Sequence, residues 1–275
     1  MVRGVFVFCR GGAVIIVVFM GTELILLVNF EAFRENLFSV VSMLGGTPGG
    51  GLSRFPSGSL ASMTGLPYAG ENYALFNSLS NSCEVAEALD FFGCRKMPFV
   101  VPELPEVRTG LSSVLESSGL GVKNNYTAMA LAADQDYRFD PSACEVGEEE
   151  SDLWASAAWF GFGGEEPMPE SYRAFARYLL YRHENRLFVL QEEGRALCCG
   201  LLHNSRMACG LYYFATLPQF RRRGLARRLM NSLASAAFES HSLFILLATE
   251  EGLPFYRDFG FETMNEIPIR SLSDL

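Results

Sequence analysis

Three apolar runs in close succession, Leu187–Gln191, Ala196–Leu202 and Gly210–Leu217, constrain this 275-residue chain more than any other feature. They are rich in aliphatic and aromatic residues, and their gaps carry turn residues, Glu193-Gly194 and His203-Asn204-Ser205, so the pattern is an antiparallel meander. Helical periodicity brackets it. From Glu170 to Arg182, Tyr172, Phe175, Ala176 and Leu179 fall on one face, and from Arg222 to Phe238 a stripe of Leu225, Leu229, Leu233 and Ala237 recurs. A buried strand, Leu243 to Ala248, then a short helix, Leu253 to Phe259, closed by Gly260, and a last strand from Phe261 complete this half. The fold class that follows is α/β, a mixed and largely antiparallel twisted sheet flanked by helices.

Upstream the pattern alternates less regularly. Gly45 to Gly58 is dense in Gly, Ser and Pro and is expected to be a loop, without the Gly-Lys-Ser/Thr ending of a nucleotide cradle. An apolar run at Tyr73–Leu79, helices at Val85–Phe92 and Glu106–Ser117, and short strands at Phe99–Val101 and Ala128–Leu131 follow. Between Asp134 and Asp152 the composition turns to Asp, Glu, Pro and Gly, and Glu148, Glu149 and Glu150 stand in a row as a solvated connector would. This places a boundary between units at 20–145 and 146–275. Residues 1–19 carry Arg3, Arg10 and an apolar core at Ala13–Phe19, open to reading as a membrane anchor or a signal-like segment. The favoured reading is an extension ahead of a start at Met20.

Charge and side-chain chemistry exclude several function classes. A formal net charge of −9 opposes binding to nucleic acid by bulk charge, so any basic site is local. Seven scattered cysteines without a C-x-x-C pair fit the reducing cytosol, and three isolated histidines offer no metal spacing. A cytoplasmic protein with no metal is expected.

The chemistry concentrates in Ala215-Thr-Leu-Pro-Gln-Phe-Arg-Arg-Arg-Gly-Leu-Ala-Arg-Arg-Leu-Met230, a strand that passes through a proline turn into a helix. Five arginines lie between Arg221 and Arg228, where the partial positive charge of a helix N-terminus disfavours cations. A compensating anion is implied. A phosphate on the free amides, with Gly224 clearing space, and acidic side chains from elsewhere in the fold are equal ways to supply it.

Arg221-x-x-Gly224-x-Ala226 resembles the R/Q-x-x-G-x-G/A signature of the GNAT superfamily of acyl-CoA-dependent N-acyltransferases, and Thr249 to Phe261 is similar to that family's distal motif ending in Y-x-x-x-G-F. The order of elements agrees from Glu170 onward. The resemblance implies acetyl-CoA as cosubstrate, with Ala215, Thr216 and Leu217 offering backbone groups to the pantetheine and thioester. It implies that Arg221, Arg222, Arg223, Gly224, Leu225 and Ala226 hold the pyrophosphate, with Thr249 in place of the family's asparagine. Tyr256 would be the general acid for the departing thiolate. The acceptor would be the amine of a small molecule or peptide.

Two departures bear on mechanism. Many members carry a glutamate on the strand before the phosphate loop as general base, whereas Gly210–Leu217 has no carboxylate and offers only Tyr212 or Tyr213 to order a water. The upstream half, through Met97–Pro102, Leu115–Leu120 and Ala128–Leu131, resembles the degenerate N-terminal unit of tandem GNAT proteins and lacks the phosphate loop. It is expected to shape the cleft, with Glu103 and Glu106 as carboxylates able to face an amine. The expected function is N-acetyl transfer to an amine. A catalytically silent module that binds coenzyme A or a protein partner is the alternative, and neither a nucleic-acid nor a membrane partner is expected.

Overall fold

The computed structural model describes residues 5–10, 13–18, 22–133 and 136–272. From the N-terminus come β1 (Val5–Arg10), β2 (Ala13–Val18) and α1 (Thr22–Leu44), then β3 (Gly51–Arg54), β4 (Leu60–Met63) and β5 (Tyr73–Leu75). Next are α2 (Ser82–Gly93), β6 (Val101–Pro102), α3 (Pro105–Arg108), α4 (Ser112–Ser117), β7 (Leu120–Ala132) and β8 (Ala143–Glu145). The second half has α5 (Ser151–Gly161), α6 (Glu170–Leu180), β9 (Asn185–Glu192), β10 (Arg195–Asn204) and β11 (Cys209–Thr216). It ends with α7 (Leu225–Ala237), β12 (Leu243–Ala248), α8 (Leu253–Phe259) and β13 (Glu262–Leu272).

One eight-stranded sheet organises the molecule, in the order β6-β13-β7-β12-β11-β10-β9-β8. All its neighbours are antiparallel except β11 and β12, which are parallel. The meander is β9-β10-β11. Its first turn puts Glu193 at φ 52° and Gly194 at φ 73°, two successive left-handed residues that match the twist of a tight hairpin. Strand alternation sorts the core by face: Leu187 and Val189 pack with Trp154, Phe175 and Leu179 of α5 and α6, while Phe188 and Leu190 pack with Leu229 and Leu233 of α7. A third cluster joins α1, α2, α4 and the small β3-β4-β5 sheet to Ala128, Ala130, Ile267 and Ile269 of the large sheet.

The strands on either side of 145/146 share this sheet. β7 lies between β12 and β13, pairing from Thr127 to Ala132 with the former and from Leu120 to Ala130 with the latter, and β8 forms the edge beside β9. Of the expected extension, residues 1–4, 11, 12 and 19 lie outside the described residues, as does Met20; β1 and β2 pair with each other.

Four expectations are corrected. Gly51–Arg54, placed in a loop, is an edge strand against β4, where Gly51 leaves room for the Met63 side chain that a Cβ would meet at 2.8 Å. β7 extends well before Ala128, its polar outer half (Lys123, Asn124, Asn125) hiding it from a search for apolar runs. α5, with Trp154, Ala155, Ala157, Ala158 and Trp159 all buried, lacks the one-faced stripe that marks a helix in sequence and lies where none is expected. α7 begins at Leu225 rather than Arg222, because Arg222 (φ 64°) and Gly224 (φ 75°) are left-handed and close the turn ahead of the helix.

Candidate functional site

The sheet opens beside β11. β11 and β12 pair only from Cys209 opposite Phe244 to Leu211 opposite Leu246, while β11 stays with β10 to Thr216 and β12 stays with β7 to Ala248. The C-terminal ends of the two parallel strands therefore diverge, and a wedge forms between them. The sequence causes this locally by a bulge: the register moves from Leu201–Tyr212 to Cys199–Ala215, so Tyr213 and Phe214 stand opposite Gly200 alone. Tyr213 takes φ 50°, and the Gly200 carbonyl accepts the Trp154 indole N–H at 3.1 Å.

The bulge also sends neighbouring rings to opposite faces. Tyr213 packs on Trp154 and Phe175 on the α5/α6 face, with centroids at 5.8 and 5.6 Å. Phe214 packs on Phe255 and Tyr256 of α8, at 5.9 and 6.3 Å.

Of the expected strand donors, Leu217 has given its amide to the Leu197 carbonyl at 3.0 Å. Ladder alternation then turns the main-chain groups of Thr216 away from β10 towards the wedge, and its carbonyl accepts Arg221 Nε at 3.1 Å. Ala215 lies opposite Cys199 and is buried against the Gly161 end of α5.

The turn after β11 is an exposed concavity. The amides of Arg222, Arg223, Gly224, Leu225, Ala226 and Arg227 make no hydrogen bond to any described residue, and the first bond into α7 is Arg228 N–H to the Gly224 carbonyl. Arg222 and Gly224 are left-handed on either side of Arg223, and turns of this kind point neighbouring amides into the concavity of an anion nest. Open space lies over Gly224, where an added Cβ would meet nothing within 4 Å. A diphosphate fits this cradle by the chemistry of its donors: unpaired N–H groups at the N-terminus of a 13-residue helix.

The five arginines divide the work. Arg228 pairs with Asp140 at 2.8 Å and Glu192 at 3.1 Å, and its guanidinium holds the Asp140 carboxyl below the usual carboxylate range. Arg227 pairs with Asp258. Arg221 spends its guanidinium on two carbonyls, those of Thr216 and Gly161. Arg223 and Arg195 both lie over the Phe220 ring at 5.2 Å. Arg222 and Arg223 form no ion pair among the described residues.

Tyr256 stands on α8, on the Phe214 face of β11, half-buried among Phe214, Phe255 and Phe261. Burial pushes its phenol above the ordinary tyrosine range, so it is neutral and able to donate. Thr249 Oγ1 accepts the Gly252 amide at 3.2 Å and Thr249 O accepts the Leu253 amide at 3.0 Å, so this residue fixes the start of α8. Tyr212 donates to Asn36 Oδ1 at 2.8 Å. Glu103 is not available to an amine: it is buried and bonded to Arg270 at 2.5 Å. Glu106 Oε1 lies 3.8 Å from Arg34.

Sequence reasoning missed one carboxylate at the bulge. Glu71, at the end of a 3-10 turn (Ala69–Glu71) before β5, accepts the Tyr213 hydroxyl at 2.6 Å. Desolvation raises its pKa to about 7, against the opposing pull of that hydrogen bond. It sits in a segment with no motif, and only tertiary packing brings it to the bulge.

Two clefts flank this region. One of about 590 Å³ lies on the α5 side of the turn between Phe160, Glu166, Arg195 and Pro218. The other, about 620 Å³, lies between α1, β3 and α6 near Glu35, Arg54, Tyr178 and Arg182. No group of three or more His, Cys, Asp or Glu among the described residues is arranged to hold a metal ion, and no described helix is long and apolar enough to cross a membrane.

Residues 183–263 match the family model described as an acetyltransferase (GNAT) domain. The fold is similar to that of a GCN5-related N-acetyltransferase from Kribbella flavida, at TM-score 0.63 and 14% identity, covering 88% of this chain and 95% of the other. A GCN5-related N-acetyltransferase from Sphaerobacter thermophilus aligns at TM-score 0.57 and 14% identity, covering 79% and 78%. A tandem GNAT protein from the clavulanic acid biosynthesis pathway aligns at TM-score 0.53 and 12% identity, covering 89% and 95%. At these identities the likeness is one of fold. No curated protein matches the sequence.

Proposed function

We propose, from the premise that the chain belongs to the GNAT superfamily through its domain at 183–263, that it transfers an acetyl group from acetyl-CoA to an amine. The observation that carries this reading is the exposed run of unbonded amides from Arg222 to Arg227 around open space at Gly224. The diphosphate of the cosubstrate rests there, with Arg222 and Arg223 free to balance its charge. From that anchor the pantetheine runs into the wedge, where Thr216 presents main-chain groups in the manner of an added strand. Acyl transfer creates an oxyanion and then a thiolate, so backbone donors and a proton source are needed at its narrow end. Tyr256 is the proton source, as a neutral phenol on the α8 side. Arg221 acts by holding the turn to β11 and α5, Leu225 and Ala226 as amide donors, and Thr249 by setting α8.

Residues 20–145 complete the sheet and wall the acceptor side without a phosphate cradle of their own. A cytoplasmic setting, an amine acceptor of small-molecule or peptide type and no nucleic-acid partner accompany this reading. Calorimetric titration with acetyl-CoA, then thiol-release assays over a panel of amines, tests it. Binding with turnover supports the transferase, and Tyr256→Phe is then expected to slow turnover with binding retained. Binding without turnover on any amine supports a catalytically silent module, and absence of binding defeats both.

A further inference from the structure

β11 has no carboxylate from Gly210 to Thr216, and its bulge meets one from the other half of the chain. Tyr213 is turned out at φ 50° towards the α5/α6 face, and its hydroxyl donates to Glu71 Oε2 at 2.6 Å. The second oxygen, Oε1, is bonded to no described residue. The titratable groups that face Glu71 are all phenols: Tyr73 beside it on β5, Tyr172 on α6 and Tyr213 on β11. Burial raises each of them, so they stay neutral, and no Lys, Arg or His among the described residues forms an ion pair with Glu71. A desolvated carboxylate without a cation is costly, and natural sites meet that cost with a counter-ion. Glu71 is only half-buried, which leaves its side chain open to such a counter-ion. Beside it Tyr68 packs on Trp159 at 5.7 Å, Trp159 on Tyr172 at 5.0 Å, Tyr172 on Phe175 at 5.6 Å and Phe175 on Tyr213 at 5.6 Å, a connected cluster of rings whose faces favour a cation.

We propose that Glu71 receives the acceptor as its ammonium ion and takes the proton that frees the nitrogen lone pair, with Tyr213 as the positioning residue that fixes the carboxylate. This rests on the acetyl-transfer reading above. The nitrogen then attacks the thioester carbonyl carbon, the C–N bond forms, and the C–S bond breaks with the electron pair on sulfur. Two protons leave the nitrogen in all. One passes to Glu71 and is released to solvent with product; the other restores Tyr256 after its phenol has protonated the thiolate. A carboxyl titrating at about 7 is charged above neutrality and still basic enough to accept a proton.

The test uses the full chain, acetyl-CoA and 2-phenylethylamine as the probe amine, with thiol release followed from pH 5.5 to 9. The wild type is expected to accelerate aminolysis, with kcat/KM rising through an acid limb near pH 7. Glu71→Gln is expected to lose about 100-fold and that limb, while Glu71→Asp retains the limb. Tyr213→Phe removes the bond that lowers the Glu71 pKa, so the limb moves to higher pH. Calorimetric affinity for acetyl-CoA is expected to be equal in all four proteins, which also reports an intact fold. An unchanged rate and limb in Glu71→Gln, or no acceleration in a wild type that binds acetyl-CoA, overturns the proposal alone. A wild type that fails to bind acetyl-CoA overturns the acetyl-transfer reading and this proposal with it.

Discussion

Arg221 Nη2 donates to the Gly161 carbonyl at 3.0 Å, and this ties the glycine turn after β11 to the last residue of α5. With Nε on Thr216, the guanidinium is a strut and not a free cation. Arg221→Ala is therefore expected to lower stability by about 1–2 kcal/mol and to weaken acetyl-CoA binding through loss of the turn's shape. Arg222→Ala is expected to leave stability within about 0.5 kcal/mol and to weaken binding by an amount that shrinks as salt rises. Urea unfolding and calorimetry at two ionic strengths distinguish the two; equal behaviour of both variants defeats the division of roles.

Gly224 makes a separate prediction because its conformation and its surroundings ask for different things. Its φ of 75° penalises any side chain, while the space above it is open. Gly224→Ala is expected to cost about 1–2 kcal/mol from backbone strain alone. Gly224→Glu adds a carboxylate to the anion nest, so its loss of acetyl-CoA affinity is expected to exceed that of the alanine variant at similar stability. Paired denaturation and titration measurements check this.

Glu71 makes stability depend on pH in a direction opposite to that of an ion-paired carboxylate. Its folded pKa is raised, to about 7, so the folded state holds the proton more tightly than the unfolded chain does. The contribution is largest below the unfolded carboxylate range near 4.5 and is lost as pH rises to about 7. Glu71→Gln removes that loss, and its carbonyl still accepts from Tyr213. At pH 8 the variant is expected to be more stable than wild type by about 2–3 kcal/mol, with the gap closing near pH 4.5. Melting curves across that range that run parallel for the two proteins refute it.

Residues 146–275 contain both motifs but not the strand between β12 and β13. Expressed alone, this fragment leaves β12 without β7 and β13 without a partner on that side, so it is expected not to fold cooperatively. Co-expression with residues 20–145 is expected to restore a cooperative transition. Near-ultraviolet dichroism and limited proteolysis measure both outcomes.

The meander and the helices around it were legible in the sequence because burial there follows a short period. β9 alternates between two cores and the stripe of α7 repeats every four residues, so composition and spacing carry the geometry. The glycine turn was legible through its arginine-and-glycine motif, although the helix after it starts three residues later than periodicity suggests, since Arg222 adopts a left-handed backbone that its residue type does not announce. β7 and Glu71 were not legible. The outer half of β7 is polar and takes its place from partners more than a hundred residues away, and Glu71 owes its chemistry to a tyrosine on β11. Burial by distant segments leaves no local period to detect. Arg221 lay between these cases: its motif was visible and its bonds to Thr216 and Gly161 were not.

The central place of β7 also has a cost during synthesis. A ribosome releases residues 120–132 well before either strand that will flank them, so in the nascent chain this segment has neither partner until residues 243–272 have followed it. Shielding by chaperones over that interval would govern yield, and the two halves of the sheet would close together rather than one after the other.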